Sequence, residues 1–412
     1  MTGVTVGTAR AVEHFDAVVV GARVAGAATA LLLARRGHRV LVVDRDRRGR
    51  DTLSTHALMR PAVVQLQRWG LLDHVVASGA PPVRRVTFHY GDVPLPIDVT
   101  EPLYAPRRIV LDEIIVAAAE DAGAVVRFAV DVTEVTRDRD GRVTGVAGRD
   151  RDGRTFAASA EVTIGADGRN SLVARQVGAA VTRATPIRSA VLYGYWDGVE
   201  AAGYEWCFNV ASRDARGGPT ASDGATTGGL IPTNDGQVCV WAGMPPSRFH
   251  RLQGNREAAV HAILSETTAD VARRVAAGSR SGPVRGYPGL RGELRRPWGP
   301  GWALVGDAGY YKDALTSHGI SDALRDADLL ADALDAVLTG RTAPADALSH
   351  YEHVRDDLSI ALFDATSQVA SYAWDMEQLQ IQHRILSTQM QRETRLLWSR
   401  DDALVAGASA PR

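Results

Sequence analysis

The sequence predicts an α/β protein in which a parallel sheet carries an inserted antiparallel sheet and is followed by a C-terminal helical segment. Near the N-terminus, short apolar runs flank an alanine- and leucine-rich stretch, a pattern typical of a strand–helix–strand unit. Between residues 181 and 285, short runs of β-branched and aromatic residues are separated by Gly, Pro, Asn and Asp, which indicates antiparallel strands. Residues 345–398 favour helix almost without a break.

The clearest local signal is a strand–turn–helix–strand unit across residues 15–44. Gly21 ends the first strand and permits a sharp turn, and Gly26 lets the following helix pack closely on the sheet. The N-terminus of that helix carries a partial positive charge that suits a pyrophosphate. Asp44 ends the second strand, where an acid can accept hydrogen bonds from ribose hydroxyls. The unit therefore predicts a Rossmann-like domain that binds a dinucleotide.

One position departs from the usual glycine pattern of such turns. Arg23 stands where a second glycine would let the phosphate approach the backbone. We expect its guanidinium either to bind the pyrophosphate or to lie along the surface. Ala25 and Arg45 neighbour the turn and the acid, and they complete the set of binding residues predicted for this part of the chain.

Composition limits the possible partners. The 412 residues carry a net charge of −1, so there is no basic field to attract nucleic acid. No stretch has the ~20 apolar residues of a membrane span, and the N-terminus lacks the apolar run of a signal peptide. Cys207 and Cys239 fit no ligand spacing, and we predict no metal site. We therefore expect a cytoplasmic monomer or homodimer that acts on a small molecule, without nucleic acid or membrane.

The same patterns divide the chain into three parts. The parallel-sheet domain is expected to be discontinuous, at residues 14–80, 105–180 and 286–340. The inserted sheet is expected at residues 81–104 and 181–285, and the helical tail at residues 341–412. Residues 125–128 and 142–146 are predicted to be strands of a small antiparallel meander with a turn at Asp140–Gly141. Strand alternation should send one set of aromatic residues to an apolar pocket and the other to the core or surface. The candidates are Tyr193, Tyr195, Trp206, Phe208 and Trp241.

Two further motifs place an acid and glycines where a buried strand ends, which is where ligands bind in open α/β sheets. The first motif, residues 165–171, contains Asp167. The second begins at Gly306 and Asp307 and continues to residue 321. Asp307 can accept hydrogen bonds from a polyol, and the helix start near the end of this motif can offer backbone N–H groups to an electron-rich ring edge.

With these three motifs in order, the chain resembles the group A flavoprotein monooxygenases of the para-hydroxybenzoate hydroxylase fold. Arg108-x-x-Leu111-x-x-x-Ile115 also looks like the family's arginine-led helix. The resemblance implies that the cofactor is FAD, and that NAD(P)H is a transient co-substrate. It implies that FAD contacts the following residues: Gly21, Arg23, Ala25, Gly26, Asp44, Arg45, Arg108, Asp167, Gly306, Asp307, Gly319 and Ile320.

The resemblance also implies individual roles. Asp44 would hold the adenosine ribose, Arg108 would reach the flavin side, and Asp307 would hold the ribityl chain. Gly319 and its neighbours would line the pyrimidine edge of the flavin ring. Asp167 serves FAD and nicotinamide binding together in the family, so its role would be indirect.

The implied reaction is hydroxylation or epoxidation of an aromatic or polyketide-like molecule through a flavin C4a-hydroperoxide. The later motif departs from the family, however, because Tyr310 and Ala314 stand where the family usually has His and Pro. Three alternatives remain open: a prenyl-chain or alkene reductase, a halogenase, and a flavin-binding partner protein without turnover. The chain lacks the Trp-x-Trp-x-Ile-Pro segment of halogenases, and its only lysine, Lys312, lies inside the flavin motif, which argues against halogenation.

A phenolic substrate would need a base that removes its proton. The candidates for this catalytic role are His318, Tyr193 and Tyr195. His318 follows the flavin motif, and its alternative role is that of a side chain that caps the loop. His56 lies in the polar loop after the second strand, where we expect either a contact to flavin or substrate, or a local hydrogen bond.

Overall fold

The computed structural model describes residues 12–186, 189–210, 224–252 and 254–408, with side chains described through residue 400. The strands are β1 Glu13–Val20, β2 Val40–Asp44, β3 Val83–Tyr90, β4 Val93–Leu103, β5 Val125–Phe128, β6 Val130–Arg137, β7 Val143–Asp150, β8 Thr155–Gly165, β9 Val181–Ala184, β10 Ala190–Asp197, β11 Tyr204–Asn209, β12 Thr226–Pro232, β13 Val238–Met244, β14 Ser279–Tyr287, β15 Glu293–Arg295, β16 Trp298–Gly299, β17 Trp302–Leu304 and β18 Tyr310–Tyr311. The helices are α1 Val24–Arg35, α2 Arg60–Arg68, α3 Leu72–Ala77, α4 Arg108–Asp121, α5 Leu172–Gln176, α6 Pro246–Arg251, α7 Arg256–Thr267, α8 Ala269–Ala277, α9 Gly319–Leu338, α10 Pro344–Ala370 and α11 Met376–Ala408.

The first sheet has the strand order β16-β17-β8-β1-β2-β5, and β7 and β6 extend it from β8. Strand β1 pairs in parallel with β2 and β8, so that Val18 lies between Leu41 and Thr163. Both faces of this central region are covered, and β2 is accordingly buried along its whole length. Helices α1, α4 and α9 pack into one core, and β6, β7 and α5 contribute to the core on the other side.

One predicted strand pairs differently from our expectation. Residues 125–128 do not join the antiparallel meander; they form β5, which lies parallel to β2 with Val125 opposite Leu41. Strand β7 instead pairs with β8 and with β6, a strand that the sequence analysis did not predict. Helix α4 precedes β5 and returns the chain to the parallel sheet beside β2. The turn at Asp140–Gly141 does lie between β6 and β7, and Gly141 has a φ of +81° there.

The second sheet has the order β14-β10-β13-β12-β11-β3-β4 and is antiparallel except for the β11–β3 pair. Across the sheet, Tyr193 of β10 lies opposite Trp241 of β13. On the next two strands, Gly229 of β12 lies opposite Trp241 on one side and opposite Trp206 of β11 on the other. Alternation therefore puts these side chains on one face, together with Tyr195 and Phe208. All five candidate aromatic residues belong to the core shared with the helices of the first sheet, whereas the opposite face packs on α7 and α8. The antiparallel inserted sheet is thus confirmed.

The C-terminal segment is helical, as predicted. Helix α10 packs against α9 and α11, and α11 also packs against α2. Leu379, Leu386 and Leu397 of α11 are buried in these contacts. In the part of the chain that the structure describes, no helix is both long and apolar enough to cross a membrane.

Candidate functional site

A cavity of about 540 Å³ opens between the two sheets. On one side lie the carboxyl ends of β1, β2 and β8 and the turn after β17; on the other lie Tyr193 and Trp241 from the aromatic face of the second sheet. Ligands bind at this edge of open α/β sheets, because loops leave the strands there in different directions. The fold therefore joins a polar, glycine-rich wall to an aromatic wall in a single cavity.

The glycine turn builds the first part of the polar wall. Gly21 has a φ of +108°, and a Cβ atom there would lie 2.4 Å from the carbonyl oxygen of Ala166. A Cβ at Gly26 would lie 1.9 Å from the carbonyl oxygen of Gly21, so neither position admits a side chain. Helix α1 begins at Val24, and no side chain of the described residues caps its N-terminus. Its first N–H groups are therefore available to an anion in the cavity.

Asp44 is buried at the end of β2 and orders the turn. Its Oδ2 accepts a hydrogen bond from the Ala22 N–H at 2.8 Å, and its Oδ1 accepts one from the Asp46 N–H at 2.8 Å. Each oxygen keeps a second lone pair, and Asp44 lines the cavity. Arg23 and Arg45 line it too, and the Arg23 guanidinium pairs with the Asp46 carboxylate at 3.1 Å. The structure thus brings these predicted residues together.

Asp167 lines the cavity, but its carboxylate is used within the fold. Oδ1 accepts a hydrogen bond from the Ser171 hydroxyl at 2.5 Å, and Oδ2 accepts one from the Leu172 N–H at 2.6 Å, at the start of α5. Burial raises the pKa of Asp167, and these hydrogen bonds oppose that rise. The carboxylate therefore holds the loop between β8 and α5 in place, which fits the indirect role expected for it.

Asp307 differs, because it has no hydrogen-bond or ion-pair partner among the described residues. It follows β17 in a short 3-10 turn, where Gly306 has a φ of +59° and packs against Ala25. The Asp307 side chain is exposed to the cavity. Desolvation by the surrounding protein raises the pKa of Asp307, and the positive charges of Arg169 and Arg108 oppose that rise. Because no group of the described fold binds this carboxylate, its oxygens are available to the hydroxyls of a ligand.

Helix α9 supplies the far end of the polar wall. Ser317, with a φ of +52°, turns the chain into the helix, and Gly319 and Ile320 line the cavity at its start. A Cβ at Gly319 would point into open space, since no heavy atom of the described residues, apart from its chain neighbours and its own helix backbone, lies within 4 Å of that position. Arg108, at the start of α4, also lines the cavity and pairs with the Asp112 carboxylate at 2.9 Å.

The three catalytic candidates separate in the structure. Tyr193 lines the cavity, and its hydroxyl accepts a hydrogen bond from the Ser54 N–H at 3.2 Å. Tyr195 lies behind the wall, with its hydroxyl bonded to the His56 imidazole. His318 is fully buried outside the cavity lining, and its Nε2 lies 2.7 Å from Glu393 Oε2. The proposed role of His318 as a base that touches substrate therefore finds no support in this geometry.

Several wall residues were missed or left undecided by the sequence analysis. His56 lines the cavity in a left-handed backbone conformation, with a φ of +67°. The Arg169 guanidinium stacks on the Tyr287 ring at 4.5 Å, and both residues line the cavity. Arg169 lies within the predicted motif of residues 165–171, but no local pattern shows that it meets Tyr287, because the two residues are far apart in the sequence. Lys312 is also a wall residue, but its ammonium group is buried in an ion pair with Asp322.

Comparison with known proteins agrees with this architecture. Residues 14–366 match the model of the FAD binding domain family. A menaquinone reductase of Mycolicibacterium smegmatis is 29% identical over 323 residues, which cover 77% of this chain and 75% of that protein. The flavin-dependent brominase Bmp2 has a TM-score of 0.77 at 17% identity, covering 96% of this chain and 100% of that chain. PqsL of Pseudomonas aeruginosa, a probable FAD-dependent monooxygenase, has a TM-score of 0.75 at 22% identity, covering 90% and 100%.

The residues of the cavity fit FAD. The uncapped start of α1 suits a pyrophosphate, Asp44 keeps free lone pairs, and the unpartnered Asp307 suits a polyol chain. The family model covers most of the chain, and the two solved structures share its fold. The chain therefore belongs to the FAD binding domain family, and it is an FAD-dependent oxidoreductase.

Proposed function

We propose that the protein is a monooxygenase that uses NAD(P)H and O₂ to hydroxylate or epoxidise an aromatic or polyketide-like small molecule. The supporting observation is that one cavity joins the polar wall, where FAD fits, to an aromatic wall that includes Tyr193 and Trp241. Bound FAD supplies the electron transfer and the oxygen activation. The protein must hold the substrate against the flavin ring and exclude water.

The proposal gives the polar wall the roles that the family resemblance implies. Asp44 holds the adenosine ribose, Asp307 holds the ribityl chain, and Gly319 and Ile320 present backbone N–H groups to the flavin ring. Tyr193 is the one catalytic candidate whose side chain reaches the cavity. Burial raises the pKa of its phenol to about 12, so at neutral pH it is protonated and acts as a hydrogen-bond donor rather than as a base.

The experiment is an oxygen-labelling assay on FAD-reconstituted protein. Candidate aromatic ketones and phenols are incubated with NADH or NADPH under ¹⁸O₂, and the products are analysed by mass spectrometry. We expect one labelled oxygen atom per product molecule, stimulation of NAD(P)H oxidation by substrate, and no effect of chloride or bromide. An Asp307→Ala variant, freed of flavin by gel filtration, is the control for reactions that do not need the protein-bound cofactor.

A reductase is the second candidate, and the menaquinone reductase relative favours it. The same assay separates the two functions. A reductase would give a product that has gained two hydrogen atoms and no labelled oxygen, and O₂ would only compete for its electrons. Halogenation is disfavoured by the structure of Lys312, because its ammonium group is paired with Asp322 and is therefore not free to bind a halogenating species.

A further inference from the structure

We propose that His56 recognises the substrate by donating a hydrogen bond from Nδ1–H to a carbonyl oxygen, and that Tyr195 is the positioning residue that fixes its tautomer. The inference rests on the proposed function, since it names a chemical class of substrate for the same cavity. That class is an aromatic ketone or quinone.

The first support is the position of His56. It lines the cavity, yet its side chain is almost completely buried, and its Nδ1 has no hydrogen-bond partner among the described residues. Its backbone has a φ of +67°, in the left-handed region, where His occurs more often than most side chains. An unpartnered buried nitrogen in a residue of the cavity wall points to a contact with the ligand.

The second support is the hydrogen bond between His56 Nε2 and the Tyr195 hydroxyl. If the hydroxyl donates to Nε2, only Nδ1–H lacks a partner. If Nε2–H donates instead, both the Tyr195 proton and the Nδ1 lone pair lack partners in the part of the chain that the structure describes. The first arrangement satisfies more buried groups, so Nδ1 carries the imidazole proton. The two rings also lie parallel, with centroids 5.7 Å apart, which holds the imidazole plane.

The third support is the surrounding charge. Burial, together with the positive charges of Arg108, Arg107 and Arg285, lowers the pKa of His56 to about 3. The Arg107 guanidinium lies 4.4 Å from the centre of the Tyr195 ring. A proton taken from the substrate would therefore be unstable on His56. The imidazole remains neutral, and it serves as a hydrogen-bond donor and not as a general base.

The fourth support is the side of the cavity on which His56 lies. Its partner Tyr195 belongs to β10, and Tyr193, two residues earlier on the same strand, binds the Ser54 N–H of the loop that carries His56. The loop is thus attached to the second sheet, opposite the wall formed by Asp44 and Asp307. Trp241, on the neighbouring strand, makes this side aromatic and also has a buried Nε1–H without a partner among the described residues. An aromatic ligand with carbonyl oxygens matches such a wall.

The test compares two probes of the same shape, 2-acetylnaphthalene and 2-isopropenylnaphthalene, in which a carbonyl oxygen is replaced by a methylene group. Binding to oxidised, FAD-loaded protein without NAD(P)H is followed by the change in flavin absorbance. We expect the wild type to bind the ketone about tenfold more tightly, as one hydrogen bond permits. His56→Leu should abolish this preference. His56→Asn, which has nearly the same shape but keeps an N–H donor and tolerates positive φ, should retain it. Tyr195→Phe should reduce it.

The proposal is overturned if the wild type does not prefer the ketone, whether it binds both probes equally or neither. It is also overturned if His56→Leu keeps the preference, or if this variant changes FAD affinity or flavin potential and leaves the preference intact. If His56→Leu does not retain FAD, the Tyr195→Phe variant decides: an unchanged preference contradicts the proposal. No turnover is measured, so this result and the oxygen-labelling result fail independently.

Discussion

Two buried histidines, His56 and His318, show how differently the same side chain is used on either side of the cavity wall. Each has an Nδ1 atom without a hydrogen-bond partner among the described residues. The Nε2 of His56 meets the neutral hydroxyl of Tyr195, whereas the Nε2 of His318 meets the carboxylate of Glu393. A protonated hydroxyl can donate to Nε2, but a carboxylate can only accept from it. The two imidazoles therefore carry their proton on opposite nitrogens.

The surroundings of His318 explain why it belongs to the scaffold. Lys312 pairs with Asp322, and Arg325 pairs with Asp322 and Asp326. Glu393 of helix α11 enters this cluster from the C-terminal segment, and its Oε1 lies 3.5 Å from Arg325. Although the ligand atoms of His318, Asp322 and Glu393 lie within 4.8 Å of one another, Lys312 and Arg325 balance the acids. The cluster ties α11 to the start of α9.

The pKa shifts of His318 and Glu393 are those expected for a neutral imidazole that donates to an ionised carboxylate. Burial would raise the pKa of Glu393, but His318 and Arg325 lower it more strongly. Burial lowers the pKa of His318, and the negative charge of Glu393 opposes part of that decrease. Both lowered pKa values are consistent with a neutral His318 imidazole that donates its Nε2–H to an ionised Glu393 carboxylate. His318 thus contributes to stability, whereas His56 retains a donor for a ligand.

The largest expected effect is on stability, and it comes from removing the carboxylate that binds His318. Glu393→Leu leaves His318 and Arg325 without their buried carboxylate, and it should lower the free energy of unfolding by about 3–5 kcal/mol. Urea denaturation of the apoprotein measures this change. Glu393→Gln, which keeps the shape and can still accept from His318, should cost clearly less. A loss below about 1 kcal/mol for the leucine variant would show that the cluster is not a structural tie.

The next effect concerns the two acids of the polar wall, Asp44 and Asp307. One is bonded within the fold and the other is left for a ligand, as with His318 and His56. Asp44 is bonded to two backbone N–H groups, and Asp307 has no partner among the described residues. Asp44→Ala should weaken FAD binding by about 1.5–3 kcal/mol, or about 10- to 150-fold, through loss of charge-assisted hydrogen bonds. It should also destabilise the apoprotein. Fluorescence titration of FAD into apoprotein measures the affinity, and an unchanged dissociation constant would contradict the placement of the ribose.

Asp307→Ala should weaken FAD binding without lowering the stability of the apoprotein. The variant should fold with undiminished apoprotein stability, because it removes a carboxylate that is exposed to the cavity and has no partner in the described fold. It should nevertheless lose FAD on gel filtration. Asp307→Asn, which keeps an acceptor oxygen, is the matched control and should retain more flavin than the alanine variant. Full flavin occupancy in Asp307→Ala would place the ribityl chain elsewhere.

A smaller effect is expected in the pH dependence of stability. The pKa of His56 is about 3 in the folded protein and about 6.5 in an unfolded chain, so between these values only the unfolded chain binds the proton. The stability from this group is complete above pH 6.5 and is lost as the pH falls, by about 1.4 kcal/mol per unit. The His56→Asn variant should lose stability less steeply than the wild type between pH 6.5 and 4. Parallel curves would contradict a neutral, buried imidazole.

The smallest expected effect is that of Tyr193→Phe. Its hydroxyl accepts a hydrogen bond from the Ser54 N–H at 3.2 Å and donates a long one to the Thr52 carbonyl at 3.5 Å, and the aromatic ring would remain in the wall. We expect a loss of about 1 kcal/mol in unfolding free energy and little change in FAD affinity. A large decrease in turnover with normal FAD binding would instead give Tyr193 a direct role with the substrate.

Features built from neighbouring residues could be predicted from the sequence. The turn at Gly21 and Gly26 and the acid at Asp44 lie within one strand–helix–strand unit, so their spacing determines their geometry. Alternation within β10 likewise puts Tyr193 and Tyr195 on one face. Both features depend on backbone periodicity, which the sequence records directly. The sequence analysis nevertheless expected the five aromatic residues to divide into two sets, whereas the strand pairing puts all of them on the same face.

Features that depend on distant contacts could not be predicted. Glu393 is 75 residues from His318, and Tyr195 is 139 residues from His56. The sequence offered His318 as one of three candidate bases because it follows the flavin motif, but Glu393 of α11 binds its imidazole outside the cavity lining. Strand β5 was assigned to the wrong neighbour for a similar reason, since a short apolar run does not reveal which strand it pairs with.

The measurement that tests the central comparison most directly is the imidazole ¹⁵N spectrum of the ¹⁵N-histidine-labelled holoprotein near pH 7, with the two signals assigned from His56→Asn and His318→Asn variants. The account predicts that His56 carries its proton on Nδ1, with Nε2 as the bare acceptor. It predicts the reverse for His318, with the proton on Nε2. A proton on Nε2 of His56, or an imidazolium at that residue, would contradict the assignment of His56 as the neutral donor of the cavity wall.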